Sequence, residues 1–266
     1  MTAPIAVTVA GSDSGGGAGI QADLKTFAAL GVYGASVVTA VTAQNTRGVT
    51  AVHVVPADVV AAQIDAVFSD LAVAAVKIGM LATAPVIAAV VAGLARHRVP
   101  AVVLDPVMVA TSGDRLLDAD AVDMLRAELV PGAAVVTPNL PEAACLLNVP
   151  RARDEAAMLR QAALLVDRGA RAVLIKGGHG DGPRSTDFLV TANRTVRLEG
   201  PRIATRNTHG TGCTLSAAVA AGLANGLDLE AAVREAKAYV TAAIAAADRL
   251  AVGGGAGPLH HFHRWW

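Results

Sequence analysis

The residues with the clearest capacity for chemistry lie at 206–214, in the sequence R-N-T-H-G-T-G-C-T. Gly210 and Gly212 alternate with small hydroxyl residues, and an alanine-rich apolar run follows at 215–223. This pattern is typical of a helix N-terminus whose unpaired backbone N–H groups are not covered by side chains. Such an end carries a partial positive charge and suits an oxyanion or a phosphate. Cys213 falls in the first helical turn, where the same field is expected to lower the pKa of a thiol.

A second glycine-rich segment, residues 11–19, lies between the apolar run 5–10 and a predicted helix at about 18–30. A strand, a glycine loop and a helix in this order are typical of nucleotide-binding loops. However, no Lys-Ser or Lys-Thr pair follows the glycines, so the P-loop signature is missing. Ile20 occupies the place of the last glycine in the dinucleotide-binding fingerprint, so that signature is missing too.

The elements that must position these residues alternate between strands and helices. Apolar runs predict buried strands at 5–10, 36–43, 74–79, 101–104, 134–137 and 172–175, with helical patterns between most of them. A hairpin is predicted at 185–198, followed by two long helices at 211–225 and 229–250. Repeated alternation predicts an α/β fold with a mostly parallel central sheet and helices on both faces.

Polar residues cluster at the predicted carboxyl ends of these strands. The strand-end residues are 11–13, Gln44, Asn45, Gly79, Met80, Asp105, Asn139, Glu142 and Lys176. Ligands bind at this edge of open α/β sheets. An acid, an amide and a lysine at successive strand ends therefore predict an active site.

Composition excludes several other classes of protein. The 22 basic residues balance 22 acidic ones, so the chain has no electrostatic footprint for nucleic acid or an anionic membrane. Only two cysteines, Cys145 and Cys213, are present, which excludes a disulfide framework and indicates a reducing, cytoplasmic compartment. Residues 78–95 carry no charge, but Thr83 and Pro85 divide them into a strand end and a helix start, so a membrane span is not expected.

A single domain over residues 1–266 is the simplest organisation. Only the C-terminus differs in composition, and residues 253–266 are expected to form a flexible glycine-rich hinge and a tail with three histidines. No signal peptide is expected, because no Lys or Arg precedes Lys25 and glycines interrupt the apolar start.

Seven motifs, taken in order, resemble the hydroxymethylpyrimidine/phosphomethylpyrimidine kinases of thiamine biosynthesis, members of the ribokinase-like superfamily. They are A-G-S-D-S-G-G-G-A-G-I-Q-A-D-L-K (10–25), T-A-Q-N-T (42–46), K-I-G-M (77–80), D-P-V-M (105–108), T-P-N-L-P-E (137–142), I-K-G-G-H (175–179) and N-T-H-G-T-G-C-T (207–214). The resemblance runs from residue 5 to about residue 250. It implies a three-layer ribokinase-like sandwich and transfer of phosphate from Mg-ATP to 4-amino-5-hydroxymethyl-2-methylpyrimidine. A second transfer, onto the resulting monophosphate, is also implied.

On the acceptor side, Gln44 carries an amide that can donate and accept at once, which suits an aminopyrimidine. The resemblance places the family's pyrimidine contact on Gln44, and its second polar contact on Asp23. Gly11 is expected beside the substrate, with Met80 and Val107 as apolar walls around the ring. A turn amide bonded to its own backbone and a solvated helix carboxylate are the alternative interpretations of Gln44 and Asp23.

On the donor side, Lys176 follows a strand and can place a point charge on the ATP phosphates. The resemblance adds Lys237 and Thr211 to the phosphate contacts, although Lys237 can also be a helix lysine that extends to solvent. Asp105 and Glu142 offer hard oxygen ligands for Mg²⁺. A helix cap or a structural ion pair is the alternative role for these two acids.

The G-T-G-C box at 210–213 replaces the G-A-G-D box of ribokinase-type proteins, so the resemblance places the general base on Cys213. The amides of Gly210, Gly212 and Cys213 are expected to stabilise the transferring oxyanions.

Three other functions stay open at this point. They are a pyridoxal or pyridoxine kinase of the same fold, a non-catalytic pyrimidine- or nucleotide-binding protein, and acyl transfer with Cys213 as nucleophile and His209 as base. A homo-oligomer, most simply a dimer, is the expected assembly.

Overall fold

The computed structural model describes residues 3–108, 117–178 and 184–266. One sheet of nine strands runs through it. The strands are β1 (Ile5–Asp13), β2 (Tyr33–Asn45), β3 (Gly48–Val54), β4 (Ala75–Ile78), β5 (Val102–Leu104), β6 (Val135–Val136), β7 (Ala172–Lys176), β8 (Arg184–Thr191) and β9 (Thr195–Pro201). Their order is β3-β2-β1-β4-β5-β6-β7-β8-β9. The six strands from β2 to β7 in this order are parallel, while β3 at one edge and the β8–β9 hairpin at the other are antiparallel.

Helices cover both faces of the sheet, as predicted. They are α1 (Gly19–Ala29), α2 (Ala57–Phe68), α3 (Ala84–His97), α4 (Ala119–Met124, continued by a π turn, Leu125–Leu129), α5 (Leu140–Leu147), α6 (Glu155–Asp167), α7 (Thr211–Ala224) and α8 (Leu229–Ala245). Successive residues of the strands contribute alternately to two apolar layers, one on each face of the sheet. Val102 and Leu104 of β5 pack with α2–α6, whereas Val103 packs with α1, α7 and α8. The fold is thus a three-layer α/β sandwich.

Helix α7 owes its position to small side chains. Its residues 214–222 are all buried, and most are alanine or glycine. A Cβ atom at Gly222 would lie 2.8 Å from the Ala232 Cβ, so glycine permits α7 and α8 to pack closely. This packing brings the N-terminus of α7 to the carboxyl ends of the parallel strands, where ligands bind in such folds.

The structure shows where the uncharged stretch and the two cysteines lie. The uncharged residues 78–95 form the end of β4 and most of α3, and no helix in the described ranges is long and apolar enough to cross a membrane. Cys145 and Cys213 are both free.

The C-terminal segment is docked onto the rest of the protein. Leu259, His260 and His261 are 1%, 2% and 5% exposed. The Tyr239 hydroxyl donates a hydrogen bond to the His261 carbonyl oxygen at 2.7 Å, which ties the tail to α8. Burial of Leu259 and these backbone contacts offset the conformational freedom that the glycines at 253–257 would otherwise provide.

Candidate active site

A cavity of about 740 Å³ opens at the carboxyl ends of the parallel strands. Every predicted site residue borders it except Asp23. The residues that do so are Gly11, Gln44, Met80, Val107, Asp105, Glu142, Lys176, Lys237, Gly210, Thr211, Gly212 and Cys213. His179, the last residue of the I-K-G-G-H motif, lies outside the described residues.

Two strand irregularities shape the acceptor side of this cavity. The β1–β2 register shifts between Ala10 and Ser12, and the β2–β3 register shifts at Gln44. Such shifts bend a strand and change the direction of its side chains. A Cβ atom at Gly11 would lie 3.1 Å from the Met80 Sδ, so glycine there leaves room for the Met80 side chain that forms the wall.

The side-chain amide of Gln44 has neighbouring polar partners but keeps unused hydrogen-bonding capacity. Its Oε1 accepts a hydrogen bond from the Thr42 hydroxyl at 3.2 Å, and its Nε2 lies 3.5 Å from His209 Nε2. Each end of the amide has one such contact and can form a second hydrogen bond, so Gln44 can still donate to a ring nitrogen and accept from an amino group.

His209 and Asp13 form a pair that the sequence analysis did not predict. His209 Nε2 lies 2.8 Å from Asp13 Oδ2, and both side chains are almost fully buried. Asp13 also accepts hydrogen bonds from the backbone N–H groups of Gly15, Gly17 and Ala18. Burial would raise the pKa of Asp13, but His209 and these N–H groups outweigh it and lower the pKa. The pair therefore joins the glycine loop to the segment before α7.

Asp23 does not border the cavity, so the geometry gives no support to its assignment as a substrate contact. It is fully buried, and its Oδ2 accepts hydrogen bonds from Lys77 Nζ at 2.8 Å and Thr8 Oγ1 at 2.6 Å. Within the described part of the chain, its Oδ1 has no hydrogen-bond partner. Helix α1 packs against β1 and β2, and from it the carboxylate reaches Thr8 on β1 and Lys77 on β4, so it serves as the counter-ion of Lys77.

Lys77 is a second residue that the sequence analysis missed. Its side chain is fully buried, yet it borders the cavity. Burial alone would lower the pKa of Lys77, but Asp23, Cys213 and Asp105 outweigh it and raise the pKa. A Cβ atom at Gly79 would lie 2.7 Å from Lys77 Nζ, so that glycine provides the space for the ammonium group. The available signal was a single lysine within the apolar strand 74–79.

Lys176 lies between the two predicted metal ligands. Its Nζ is 2.9 Å from Asp105 Oδ1 and 3.9 Å from Glu142 Oε2. Burial would raise the pKa of Asp105, but Lys176 and Lys77 outweigh it and hold the pKa low. For Glu142, burial wins over Lys176 and raises the pKa to about 7. The Glu142 carboxylate also accepts a hydrogen bond from the Asn139 N–H, as part of a capping box at the start of α5. The same carboxylate therefore caps this helix and borders the cavity.

Lys237 enters the same cavity from α8. Its Nζ donates to Asp187 Oδ2 at 2.6 Å and to Ser185 Oγ at 3.2 Å, both on β8. It is therefore anchored to the sheet rather than extended into solvent.

The N-terminus of α7 has the open backbone that its sequence predicts. Gly210 has φ +83°, and a Cβ atom there would overlap the Gly17 carbonyl oxygen. Gly212 faces Lys176, whose Nζ would lie 3.4 Å from a Cβ atom. Among the described residues, the amides of Gly212 and Cys213 donate to no backbone carbonyl. Two free N–H groups, the helix dipole and a nearby ammonium group suit an anion.

The thiol of Cys213 departs from expectation. The charge of Lys77 and, to a smaller extent, the backbone N–H of Gly19, the first residue of α1, favour the thiolate. Burial exceeds both effects and, with Asp23 and Asp105, raises the pKa of the thiol to about 11. The predicted lowering of the pKa is therefore wrong, because desolvation outweighs the field at the helix end.

A magnesium ion would find two hard oxygen donors here, Asp105 and Glu142. No group of three or more His, Cys, Asp or Glu side chains suited to a metal occurs among the described residues. The two carboxylates fit Mg²⁺, which usually takes one or two carboxylates and completes its shell with phosphate oxygens and water.

Comparisons with known proteins identify the family of the chain. Residues 13–260 match the family model described as phosphomethylpyrimidine kinase. The hydroxymethylpyrimidine/phosphomethylpyrimidine kinase of Rhizobium meliloti is 65% identical over 266 residues, covering 100% of this chain and 99% of the relative. Two solved structures are also similar. The ADP complex of Bacillus subtilis pyridoxal kinase has a TM-score of 0.91 at 36% identity and covers 98% of both chains. The phosphomethylpyrimidine kinase of Clostridium difficile 630 has a TM-score of 0.80 at 42% identity, covering 90% of this chain and 99% of the other.

Proposed function

The chain belongs to the phosphomethylpyrimidine kinase family, and we propose that it phosphorylates an aminopyrimidine twice. ATP first phosphorylates the hydroxymethyl group of 4-amino-5-hydroxymethyl-2-methylpyrimidine, and then the resulting monophosphate, for thiamine biosynthesis. The observation that carries the proposal is a single cavity with an amide and apolar walls on one side and ammonium groups with free backbone N–H groups on the other.

The acceptor ring is held by Gln44, Met80 and Val107. The Gln44 amide forms hydrogen bonds with the amino group and the adjacent ring nitrogen, while the two apolar side chains enclose the ring. Gly11 contributes space rather than a contact, since a side chain there would displace Met80. This arrangement leaves the hydroxymethyl group to face the N-terminus of α7.

The donor phosphates are held by Lys176, Lys237 and the N-terminus of α7, including Thr211. Catalysis of phosphoryl transfer depends mostly on positioning and charge neutralisation. Asp105 and Glu142 would hold Mg²⁺, directly or through water, and the ion would supply charge neutralisation at the phosphates. The apolar side chains of Ile203, Val240 and Ile244 border the same cavity and suit the adenine ring.

Cys213 receives the proton of the acceptor hydroxyl. Cys213 is half-buried, and a thiol with a pKa of about 11 is mostly protonated near neutral pH, so only a small fraction is competent as a base. That fraction suffices for a reaction in which base strength matters less than position. Lys77 increases the fraction, because its ammonium charge favours the thiolate.

A pyridoxal kinase is the second candidate, favoured by the close match to the Bacillus subtilis enzyme. Turnover of ATP, measured separately with the hydroxymethylpyrimidine and with pyridoxal, decides between them. We expect the pyrimidine to support ADP formation and to yield a monophosphate and then a diphosphate. Turnover with pyridoxal alone would establish the second candidate, and no turnover with either would favour a binding protein.

We also propose a cytoplasmic homodimer. The edge strand β3, on which Val52 is 42% exposed, offers a surface for it. Light scattering coupled to size-exclusion chromatography measures the assembly directly, and a monomeric mass would refute the dimer.

A further inference from the structure

The docked C-terminal segment touches the active site through four residues, 255–258, which we call the C-terminal strap. On one side, Gly255 N donates to Thr46 Oγ1 at 3.1 Å and Ala256 N donates to the Thr46 carbonyl oxygen at 2.8 Å. On the other side, Gly257 N donates to Asn207 Oδ1 at 3.1 Å, and the Gly257 carbonyl accepts from His209 N at 3.0 Å. The strap thus joins the turn after β2 to the segment before α7.

Both anchor points adjoin residues on the acceptor side. Thr46 lies two residues after Gln44. His209 is held by the strap through its backbone, while its ring contacts Asp13 and lies 3.5 Å from the Gln44 amide. The strap also borders a second cavity of about 350 Å³, which has Gln44 and His209 in common with the main cavity. It therefore fixes the separation of two elements that face the acceptor.

The composition of the strap fits this close contact. A Cβ atom at Gly255 would overlap the Thr46 carbonyl oxygen, and one at Gly257 would overlap Asn207 Oδ1. The next residues anchor the strap to α8, because Leu259 is buried and His260 N donates to the Ala243 carbonyl oxygen at 3.2 Å. None of the four strap hydrogen bonds involves Lys176 or Lys237.

We propose that the C-terminal strap is a positioning element for the acceptor. It holds the turn after β2, which follows Gln44, at a fixed distance from His209. The strap therefore sets the affinity of the enzyme for the acceptor and leaves its affinity for ATP unchanged. The inference rests on the proposed kinase function. If the wild-type enzyme turns over pyridoxal instead of the pyrimidine, the strap is tested with pyridoxal, so the two proposals fail separately.

The test uses the full-length chain with Gly255→Ala, Gly257→Ala and both together. Each variant is expected to raise the KM for the acceptor about tenfold, the effect of losing one well-formed hydrogen bond. The KM for ATP should stay within about twofold, a difference that is small on the same scale. Gly132→Ala is the matched control, since the nearest atom to a Cβ there lies 3.9 Å away and the site is remote.

Tryptophan fluorescence reports whether the strap has been released. The chain has two tryptophans, Trp265 and Trp266, both in the tail beyond the strap, and the Trp266 ring lies 4.6 Å from that of His260. Greater quenching by acrylamide, with a rise in the acceptor KM alone, supports the proposal. An unchanged acceptor KM in the double variant, or an equal rise in both KM values, overturns it. If the double variant does not fold, Thr46→Val removes only the Gly255 hydrogen bond, and the same two outcomes decide.

Discussion

Lys77 and Asp23 form an ion pair in which both side chains are fully buried and Nζ lies 2.8 Å from Oδ2. The pair connects β4 to α1 behind the wall of the active-site cavity. Because Cys213 and Asp105 lie within the electrostatic reach of Lys77, the charge of this one lysine affects both the thiol and the carboxylate.

Asp23→Asn is expected to destabilise the protein by about 3–5 kcal/mol, because it leaves the Lys77 ammonium buried without a counter-ion. Unfolding in denaturant measures this loss. Asp123→Asn is the matched control. It removes an exposed pair with Arg126 and should cost less than about 1 kcal/mol.

Replacing both Asp23 and Lys77 shows whether the loss of stability comes from the unpaired charge or from altered packing. Asp23→Leu with Lys77→Met should recover most of the lost stability, because apolar residues of similar volume need no desolvation. A single Asp23→Asn variant as stable as the wild type would show that the pair contributes nothing to folding.

The thiol of Cys213 should titrate with a pKa of about 11. In a Cys145→Ser background, the pH dependence of iodoacetamide alkylation reports on Cys213 alone. Lys77→Met should raise this pKa by about one pH unit, since it removes the cation that favours the thiolate. A wild-type thiol that titrates below its ordinary pKa would instead show that the helix N-terminus dominates over burial.

The fold was predictable because its signals are local. Apolar runs and their alternation with helical patterns identify the parallel strands, and the carboxyl ends of parallel strands meet at one edge. Gln44, Asp105 and Lys176 could therefore be placed together without knowledge of their contacts.

The missed residues depend on contacts that sequence spacing does not encode. Asp13 and His209 are 196 positions apart, and their pairing requires α7 to start beside the glycine loop. Whether Asp23 faces a ligand or Lys77 depends on the rotation of α1 about its axis. The glycines at 253–257 predict a flexible hinge, yet two of them, Gly255 and Gly257, are what permit the chain to approach Thr46 and Asn207.

Glu142 should make the stability of the protein depend on pH. Its pKa is raised from 4.5 to about 7 by burial, so the native state binds its proton more tightly than the unfolded chain. The stabilisation is complete below the unfolded pKa and is lost as pH rises through about 7. Relative to Glu142→Gln, the wild type should lose roughly 3 kcal/mol over this range. Parallel pH profiles of the unfolding free energy in the two proteins would refute the raised pKa.

Cys213→Ala should abolish most of the first phosphorylation while leaving the acceptor bound. Removal of a positioned base is expected to lower kcat by about 10²–10⁴-fold. The dissociation constant of the pyrimidine, measured by isothermal titration, should change little, because Gln44, Met80 and Val107 hold the ring. Cys145→Ala is the control for loss of a thiol at the cavity rim and should retain its kcat. Since burial keeps the Cys213 thiol mostly protonated, full turnover by Cys213→Ala is the outcome that would remove it from the mechanism. The backbone amides of α7 and the ammonium group of Lys176 would then account for catalysis by charge and position alone.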